Sequence, residues 1–370
     1  MFKFSIRCLD DSKTIAQERI LAILAVFLSM LFVVGVLEVA LRAVQHQRGT
    51  YSIYEEGEVA LKASIWKKSS DPILIYTHRP NYFKHGIQYT ESHGILRPQS
   101  VNENRVRGVF RIALIGDSLA AGIYLDYKDR VGTRLENLLN ARVGGSAQRV
   151  EVLNFGVNGY RTTQEARYVE TNVAKFDPDV LVLLYCMNDP GNSLTPTIWF
   201  MGLHPPLFRL ADFIERRLGF KENELSPELS DAVPVFGPDY GSSKYWFRLY
   251  ERNSRSWKSV GDGFRSIDAY SRSRRIPVVL VIFPFFLDGK EAWKIAEPYH
   301  RQVQEEGYSL GWTVLDLLGV YDKYPIEEVR ENDQDIYHPS AKGDKVAAEA
   351  IFSKLTESGI VEKSLGKLGE

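Results

Sequence analysis

The chain has 370 residues, of which 44% are hydrophobic and 25% charged, a balance that is ordinary for a globular protein. The formal net charge is only -1, so composition gives no electrostatic case for nucleic-acid binding. Two cysteines, Cys8 and Cys186, are too few for a disulfide framework, and the sequence has no Cys/His cluster and no glycine-rich phosphate loop. We therefore expect no metal and no cofactor.

The first element along the chain is an uncharged apolar run from Ile20 to Leu37. Extended to Leu41, it crosses only Glu38 and gives a helix of about 33 Å, enough for a hydrocarbon core of roughly 30 Å. Hydrophobic regions of signal peptides are shorter, roughly 7–15 residues, and no small-residue cleavage site follows the run. We predict an uncleaved transmembrane helix over residues 20–41, with a cleaved signal and a secreted protein as the alternative.

The charges on either side of this helix predict its orientation. The cationic residues before it are Lys3, Arg7, Lys13 and Arg19, and those after it are Arg42 and Arg48. Because the more cationic flank tends to stay in the cytoplasm, the tail of residues 1–19 is predicted to be cytoplasmic. The rest of the chain is then periplasmic or extracellular. Glu38 and Arg42 are spaced i,i+4, and we expect them to pair at the membrane interface.

The soluble part begins irregularly and then alternates between strands and helices. Residues 42–108 contain scattered prolines and charges, and we interpret them as a connector packed on the main domain. The predicted strands are Phe110–Ile115, Val150–Phe155, Val180–Tyr185, Ile276–Phe283 and Trp312–Leu315, with helices that include Arg134–Ala141 and roughly Asp344–Leu355. Continuous apolar strands separated by helices predict a doubly wound α/β domain with a mostly parallel five-stranded sheet.

A long connection over residues 190 to about 258 joins the third strand to the helix before the fourth. Connections of this length are commonly lids or binding elements, although a decoration packed on one edge is an equal alternative. Its aromatic residues include Trp199, Phe200, Tyr245 and Trp246. Such side chains suit stacking on sugar rings, and they suit a hydrophobic core equally well.

Polar clusters follow three of the strands, and a fourth precedes the last helix. These clusters are Gly116–Ser118, Gly156–Tyr160, Tyr185–Asp189 and Asp335–Ser340. Active sites of such domains lie beyond the carboxyl ends of the strands, so we expect the four clusters to converge at one edge of the sheet.

The residue types in these clusters suit nucleophilic catalysis on an acyl group. Ser118 is the candidate nucleophile at a helix N-terminus, His338 the candidate base, and Asp335 the candidate acid that orients the imidazole. The candidate oxyanion donors are the backbone N–H groups of Ser118 and Gly156 and the side-chain amide of Asn188. A glycine at position 156 is expected to let the backbone approach the substrate closely.

The order of these clusters resembles the SGNH (GDSL-type) hydrolase family, named for the Ser, Gly, Asn and His found here as Ser118, Gly156, Asn188 and His338. The resemblance covers about residues 109–357. It implies a flavodoxin-like three-layer fold and a serine mechanism that cleaves or transfers acyl esters in a membrane-anchored bacterial protein.

The resemblance also assigns supporting residues and shows one departure from the family pattern. Gly116, Asp117 and Asp189 belong to the motifs, and Asp117 is expected to support the nucleophile loop rather than act as the triad acid. The third block usually begins with glycine, whereas this chain has Cys186. A side chain there is expected to narrow the pocket or shift the loop that carries Asn188.

We therefore divide the chain into a tail (1–19), a transmembrane helix (20–41), a connector (42–108), a hydrolase domain (109–358) and a C-terminal tail (359–370). The predicted function is a serine esterase for short acyl esters, above all acetyl esters, of a cell-envelope carbohydrate or lipid. Its expected partners are that substrate and the membrane, with no nucleic acid. An O-acyltransferase in envelope glycan modification and a non-catalytic glycan-binding module are the alternatives.

Overall fold

The computed structural model describes residues 3–47, 64–104, 106–143, 149–191, 210–211, 214, 247–288, 290–333 and 335–362. The chain divides into two compact units. One comprises Met1–Gly57 with Leu203–Glu224, and the other comprises Glu58–Gly202 with Leu225–Glu370. The aromatic residues of the long connection considered for sugar stacking, Trp199, Phe200, Tyr245 and Trp246, lie outside the described residues.

Helix α1 (Lys3–Gln47) is the main element of the first unit. Its segment Glu18–Val44 has a mean hydropathy of 3.0 and is not buried inside the protein. Among the described residues, this is the one helix long and apolar enough to cross a membrane, a property that signal sequences share. Arg42 Nε donates to Glu38 Oε1 over 2.7 Å, the i,i+4 contact that the sequence predicts.

The second unit contains two small antiparallel strand pairs and one larger sheet. The pairs are β1 (Trp66–Lys68) with β2 (Tyr76–His78), and β3 (Phe83–Lys84) with β4 (Ile87–Gln88). The sheet consists of β5 (Val109–Gly116), β6 (Arg149–Asn154), β7 (Val180–Cys186), β8 (Val278–Phe283) and β9 (Thr313–Asp316). These five strands coincide with the predicted ones to within two residues at each end.

The strand order of the larger sheet is β6-β5-β7-β8-β9, and every neighbouring pair is parallel. This 2-1-3-4-5 order is that of flavodoxin-like doubly wound sheets, so the predicted fold class is confirmed. The order reverses beside β5, which lies between β6 and β7. A crevice at the carboxyl ends of the strands is expected at this reversal.

Helices cover both faces of the sheet. They are α2 (Ser118–Ala121), α3 (Val131–Val143), α4 (Thr162–Thr171), α5 (Arg255–Arg274), α6 (Lys290–Ser309), α7 (Leu318–Tyr321), α8 (Ile326–Val329) and α9 (Ala341–Glu357). Successive strand residues point to opposite faces. One set, with Leu181 and Leu183, packs with residues of α4, α5 and α6, and the other, with Val180 and Val182, packs with residues of α3 and α9.

The segment before β5 packs on this domain beside the loop that follows β6. Tyr76 and Ile95 are buried in the core layer that also contains residues of β5 and α4. The Tyr76 hydroxyl donates to the carbonyl of Asn158 over 2.9 Å, and the Tyr160 hydroxyl donates to the carbonyl of Tyr76. These contacts hold the turn that contains Gly156 from the outside.

One buried charge interrupts the apolar run of β5. Arg111 is 1% exposed, and its Nε donates to Glu151 Oε2 over 3.1 Å on the neighbouring strand β6. Its other nitrogens donate to the carbonyls of Phe176 over 2.9 Å and Asn102 over 2.6 Å. A buried guanidinium needs this set of acceptors, which ties β5 to three other segments at its amino end.

Candidate active site

The nucleophile candidate lies in the sharp turn from β5 into α2. Gly116 has a φ of +154°, and a Cβ there would lie 2.7 Å from the carbonyl oxygen of Leu184 on β7. Asp117 caps the helix, because its Oδ1 accepts the backbone N–H of Leu119 over 2.9 Å. Helix α2 has only four residues, so the helix-dipole contribution expected at Ser118 is small.

The structure brings the three candidate triad residues into contact. His338 Nε2 lies 2.8 Å from Ser118 Oγ, although the two residues are 220 positions apart in the chain. His338 Nδ1 lies 2.7 Å from Asp335 Oδ2. Asp335 Oδ1 accepts the backbone N–H groups of Tyr337 over 2.8 Å and His338 over 3.0 Å. The acid therefore fixes both the loop backbone and the imidazole.

Other histidines also contact acids, but with a different arrangement. The pairs are His93 with Glu91 at 2.9 Å and His300 with Asp316 at 2.8 Å. Ser92 contacts the same ring nitrogen of His93 that Glu91 does, and Nε2 of His300 is buried without a partner. The second ring nitrogen of His93, Nε2, faces another carboxylate, Glu103, at 3.5 Å. Among the described residues, only His338 has a carboxylate on Nδ1 together with a serine hydroxyl on Nε2.

The environment of Asp335 favours its charged form. Partial burial alone would raise the pKa of this carboxyl, but the hydrogen bond and the charge of His338 outweigh that effect. The two backbone N–H donors act in the same direction, so the pKa of Asp335 is lower than usual. A charged carboxylate beside Nδ1 holds the proton on that nitrogen and leaves Nε2 free to accept one from Ser118.

Gly156 is required by packing against the nucleophile helix. A Cβ at this position would lie 2.3 Å from the backbone nitrogen of Ala121 and 2.7 Å from Ala120. The side chain of Asn154 holds the same contact, accepting the Gly156 N–H over 2.9 Å and donating to the carbonyl of Ala120 over 2.6 Å. The absent side chain makes room for α2, a requirement that the sequence did not indicate.

Asn188 lies in the turn that follows β7, at the same edge of the sheet as Ser118. Its carbonyl accepts the N–H of Gly191 over 2.9 Å. Cys186 is 2% exposed and belongs to the core layer beneath α3 and α9. Burial, and then the nearby charges of Asp117 and Asp189, raise the pKa of its thiol well above the usual range, so it is a poor nucleophile.

Three carboxyl groups are buried behind the nucleophile turn, namely Asp117, Glu165 and Asp189. Burial raises the pKa of all three, and their mutual repulsion adds to the effect on Glu165 and Asp189. Asp189 Oδ2 accepts from the Thr162 hydroxyl over 3.3 Å, whereas Asp189 Oδ1 and both oxygens of Glu165 have no hydrogen-bond donor in the described structure. Because carboxylates are costly to bury unpaired, we infer that Glu165 and Asp189 hold at least one proton between them.

Two residues beside the site carry no signal in the sequence. Glu165 lies in the first turn of α4, where an acidic residue is usually solvated, yet it is fully buried. Tyr124 follows α2 in an ordinary loop, yet its ring packs on His338 with centroids 4.7 Å apart. Both positions follow from tertiary packing and from no local pattern.

Comparison with known proteins gives one family match. The model of the GDSL-like lipase/acylhydrolase family matches residues 114–346. No curated protein matches the sequence. Similar solved structures include a catalytic mutant of an acetylxylan esterase from Geobacillus stearothermophilus, 14% identical, covering 66% of this chain and 94% of that chain with a TM-score of 0.42. A lipase/acylhydrolase from Enterococcus faecalis is 18% identical. The match covers 67% of this chain and 96% of that chain, with a TM-score of 0.39.

Replacing Gly156 with alanine is expected to destabilise the domain by about 1–3 kcal/mol, since the added methyl group overlaps α2. The esterase rate should fall with it, because α2 carries Ser118. Gly319→Ala is the matched control, as a Cβ there meets nothing within 4 Å. Thermal unfolding of both variants checks this, and equal unfolding temperatures would contradict the packing role of Gly156.

Replacing Glu165 with glutamine should change how stability depends on pH. Burial, followed by repulsion from Asp117, raises the folded-state pKa of Glu165 well above 4.5. The unfolding free energy of the wild type should therefore fall as pH rises from the unfolded-state pKa towards the folded one. In Glu165→Gln this fall should be shallower, leaving the variant as stable as the wild type, or more so by about 1 kcal/mol, near pH 8.

Denaturant unfolding between about pH 5 and pH 8 measures this effect, with the exposed Glu327→Gln as the control. The control should follow the wild type throughout. Identical pH slopes for Glu165→Gln and the wild type would show that Glu165 keeps its proton or its charge over the whole range.

Proposed function

The chain belongs to the GDSL-like lipase/acylhydrolase family and is an ester-hydrolysing enzyme, and we propose that it works through Ser118, His338 and Asp335 by way of an acyl-enzyme. The observation that carries the proposal is the continuous line of contacts from Asp335 through His338 to Ser118, at 2.7 and 2.8 Å. A serine hydroxyl reacts slowly without a base that takes its proton, and this geometry supplies one.

In the first half-reaction, Ser118 Oγ attacks the ester carbonyl carbon while His338 Nε2 takes the hydroxyl proton. The carbonyl electrons move onto the oxygen, and the tetrahedral intermediate then collapses and expels the alcohol. His338 returns the proton to the leaving oxygen, so the alcohol departs neutral. Asp335 remains charged throughout and stabilises the imidazolium that forms between the two proton transfers.

In the second half-reaction, water takes the place of the alcohol. His338 removes a proton from water, the hydroxide attacks the acyl carbon, and Ser118 leaves with the proton from His338. An acyltransferase would differ only here, because a sugar hydroxyl would replace the water.

The proposed oxyanion donors are the N–H groups of Ser118 and Gly156 and the side-chain amide of Asn188. The position of Gly156 against α2 and of Asn188 after β7 supports this set, since both lie at the edge that carries Ser118. The N–H of Gly156 already donates to Asn154 Oδ1 over 2.9 Å, so it would be shared between Asn154 and the oxyanion. Each such donor typically contributes about 3 kcal/mol to transition-state stabilisation.

We further propose short acyl esters, above all acetyl esters, of a cell-envelope carbohydrate or lipid as the substrates. Helix α1 supports the envelope location, because its apolar segment is long enough to anchor the chain in a membrane. In this proposal residues 1–19 stay in the cytoplasm, residues 20–41 span the membrane, and the hydrolase domain of residues 109–358 acts outside it.

Ser118→Ala and His338→Ala are each expected to lower kcat for p-nitrophenyl acetate by about a thousandfold or more, since each removes a group that acts in every turnover. Asp335→Asn should lower kcat by about a hundredfold or more, because the amide favours the wrong imidazole tautomer. The full chain in detergent is used for each assay, and circular dichroism confirms folding.

Asp333→Asn is the matched control, since Asp333 lies two positions before Asp335 with a side chain that is 90% exposed. It should retain the wild-type rate. A wild-type rate in Asp335→Asn would overturn its assignment as the acid. A folded wild type no faster than Ser118→Ala would reject hydrolysis of this ester, and an acyl adduct on Ser118 in mass spectrometry would then indicate acyl transfer.

Cell fractionation tests the anchor. Full-length protein is expected in the membrane pellet, and it should stay there after a high-pH carbonate wash, because a spanning helix is held by burial of its apolar surface in lipid. A shortened protein in the soluble fraction would show that the apolar segment is a cleaved signal.

A further inference from the structure

The ring of Tyr124 packs against the imidazole of His338. The two ring centroids are 4.7 Å apart, and the ring planes are inclined by 53°. Tyr124 is placed there by a turn at the end of α2, where Gly122 adopts a φ of +57° and its carbonyl accepts the N–H of Leu125 over 3.0 Å. The residue therefore belongs to the same short segment as the nucleophile.

The hydroxyl of Tyr124 does not account for this position. The oxygen is buried and has no hydrogen-bond partner in the described structure. Burial, and then the charge of Asp344, raise the pKa of this phenol well above its usual value, so the group stays neutral. The contact that Tyr124 makes with the site is the contact of its ring with His338.

The hydrogen bonds of His338 leave one degree of freedom poorly fixed. Ser118 and Asp335 hold the two ring nitrogens, but the χ2 torsion of a histidine is broad, so the ring can tilt while both bonds lengthen. The side chain is 24% exposed, which gives the imidazole room to move. The ring of Tyr124, packed against the imidazole, narrows that motion. Tyr337, the other aromatic neighbour, lies farther away, with centroids 6.2 Å apart.

We propose that Tyr124 is a positioning residue for the reaction, holding the imidazole of His338 in line between Ser118 and Asp335 through ring-to-ring contact. This inference rests on the proposed function, because it takes His338 as the base. It assigns no contact with the substrate to Tyr124. The ring should therefore affect the chemical step and leave substrate binding unchanged.

The test compares Tyr124→Leu and Tyr124→Phe in the full chain, with p-nitrophenyl acetate as the substrate. Tyr124→Leu should lower kcat about tenfold, which corresponds to about 1.4 kcal/mol in the barrier, with KM within about twofold of the wild type. Tyr124→Phe keeps the ring and should stay within about twofold of the wild-type kcat. Tyr124→Met fills a similar volume without a flat ring and should behave as leucine does.

Tyr270→Leu is the matched control. Tyr270 also has a buried hydroxyl without a partner, but it lies near the end of α5 that leads into β8, at the opposite edge of the sheet. Its kcat should equal that of the wild type. Thermal unfolding of every variant identifies any that fail to fold. If Tyr124→Leu fails to fold, Tyr124→Met decides the question.

Three results would overturn the inference. One is a wild-type kcat in both Tyr124→Leu and Tyr124→Met. Another is a raised KM with unchanged kcat, which would place Tyr124 in the substrate site. The third is a loss in Tyr124→Phe as large as in Tyr124→Leu, which would assign the effect to the hydroxyl. His338→Ala, assayed in parallel, separates the two proposals, since full activity there would overturn the proposed function itself.

Discussion

Burial of the central sheet on both faces determines where polar chemistry can occur in this domain. Every residue of β7 and β8 is buried between layers of helices, so neither face of these strands can hold a solvated polar group. Charged and polar side chains are left to the ends of the strands. Because all five strands are parallel, their carboxyl ends meet at one edge, where Ser118 and Asn188 both lie. Each residue of the candidate site depends on this arrangement.

The sequence predicts the strands well because their continuous apolar runs have one dominant physical cause, the burial of both faces of the sheet under helices. It also predicts which polar clusters meet. Parallel strands bring their carboxyl ends to one edge of the sheet, and the family pattern gives the order of the clusters along the chain. The packing role of Gly156 was not predicted, because the sequence cannot show that α2 passes so close to the turn after β6. Likewise Arg111 breaks its apolar run, and only the fold shows the acceptors that make its burial tolerable. Contacts between segments distant in the chain are what the pattern leaves out.

The buried acids show how the site balances opposing electrostatic effects. Asp335 is partly exposed and accepts two backbone N–H groups, which favour its charged form. In the proposed mechanism this charge stabilises the imidazolium. Asp117, Glu165 and Asp189 lie deeper, where full ionisation of all three would be costly. The proton that we infer on Glu165 or Asp189 lowers the negative charge near the nucleophile turn. The family motif includes Asp189, whereas the burial of Glu165 on α4 is visible only in the structure.

The distance of 220 residues between Ser118 and His338 has a consequence for biosynthesis. A ribosome completes the turn with Ser118 and all five strands before it makes the loop that carries His338 and Asp335. The proposed triad is therefore incomplete until the last segment of the chain emerges and α9 packs on α3. If the proposed mechanism holds, reactivity appears together with a finished fold, and nascent or C-terminally shortened chains are inactive.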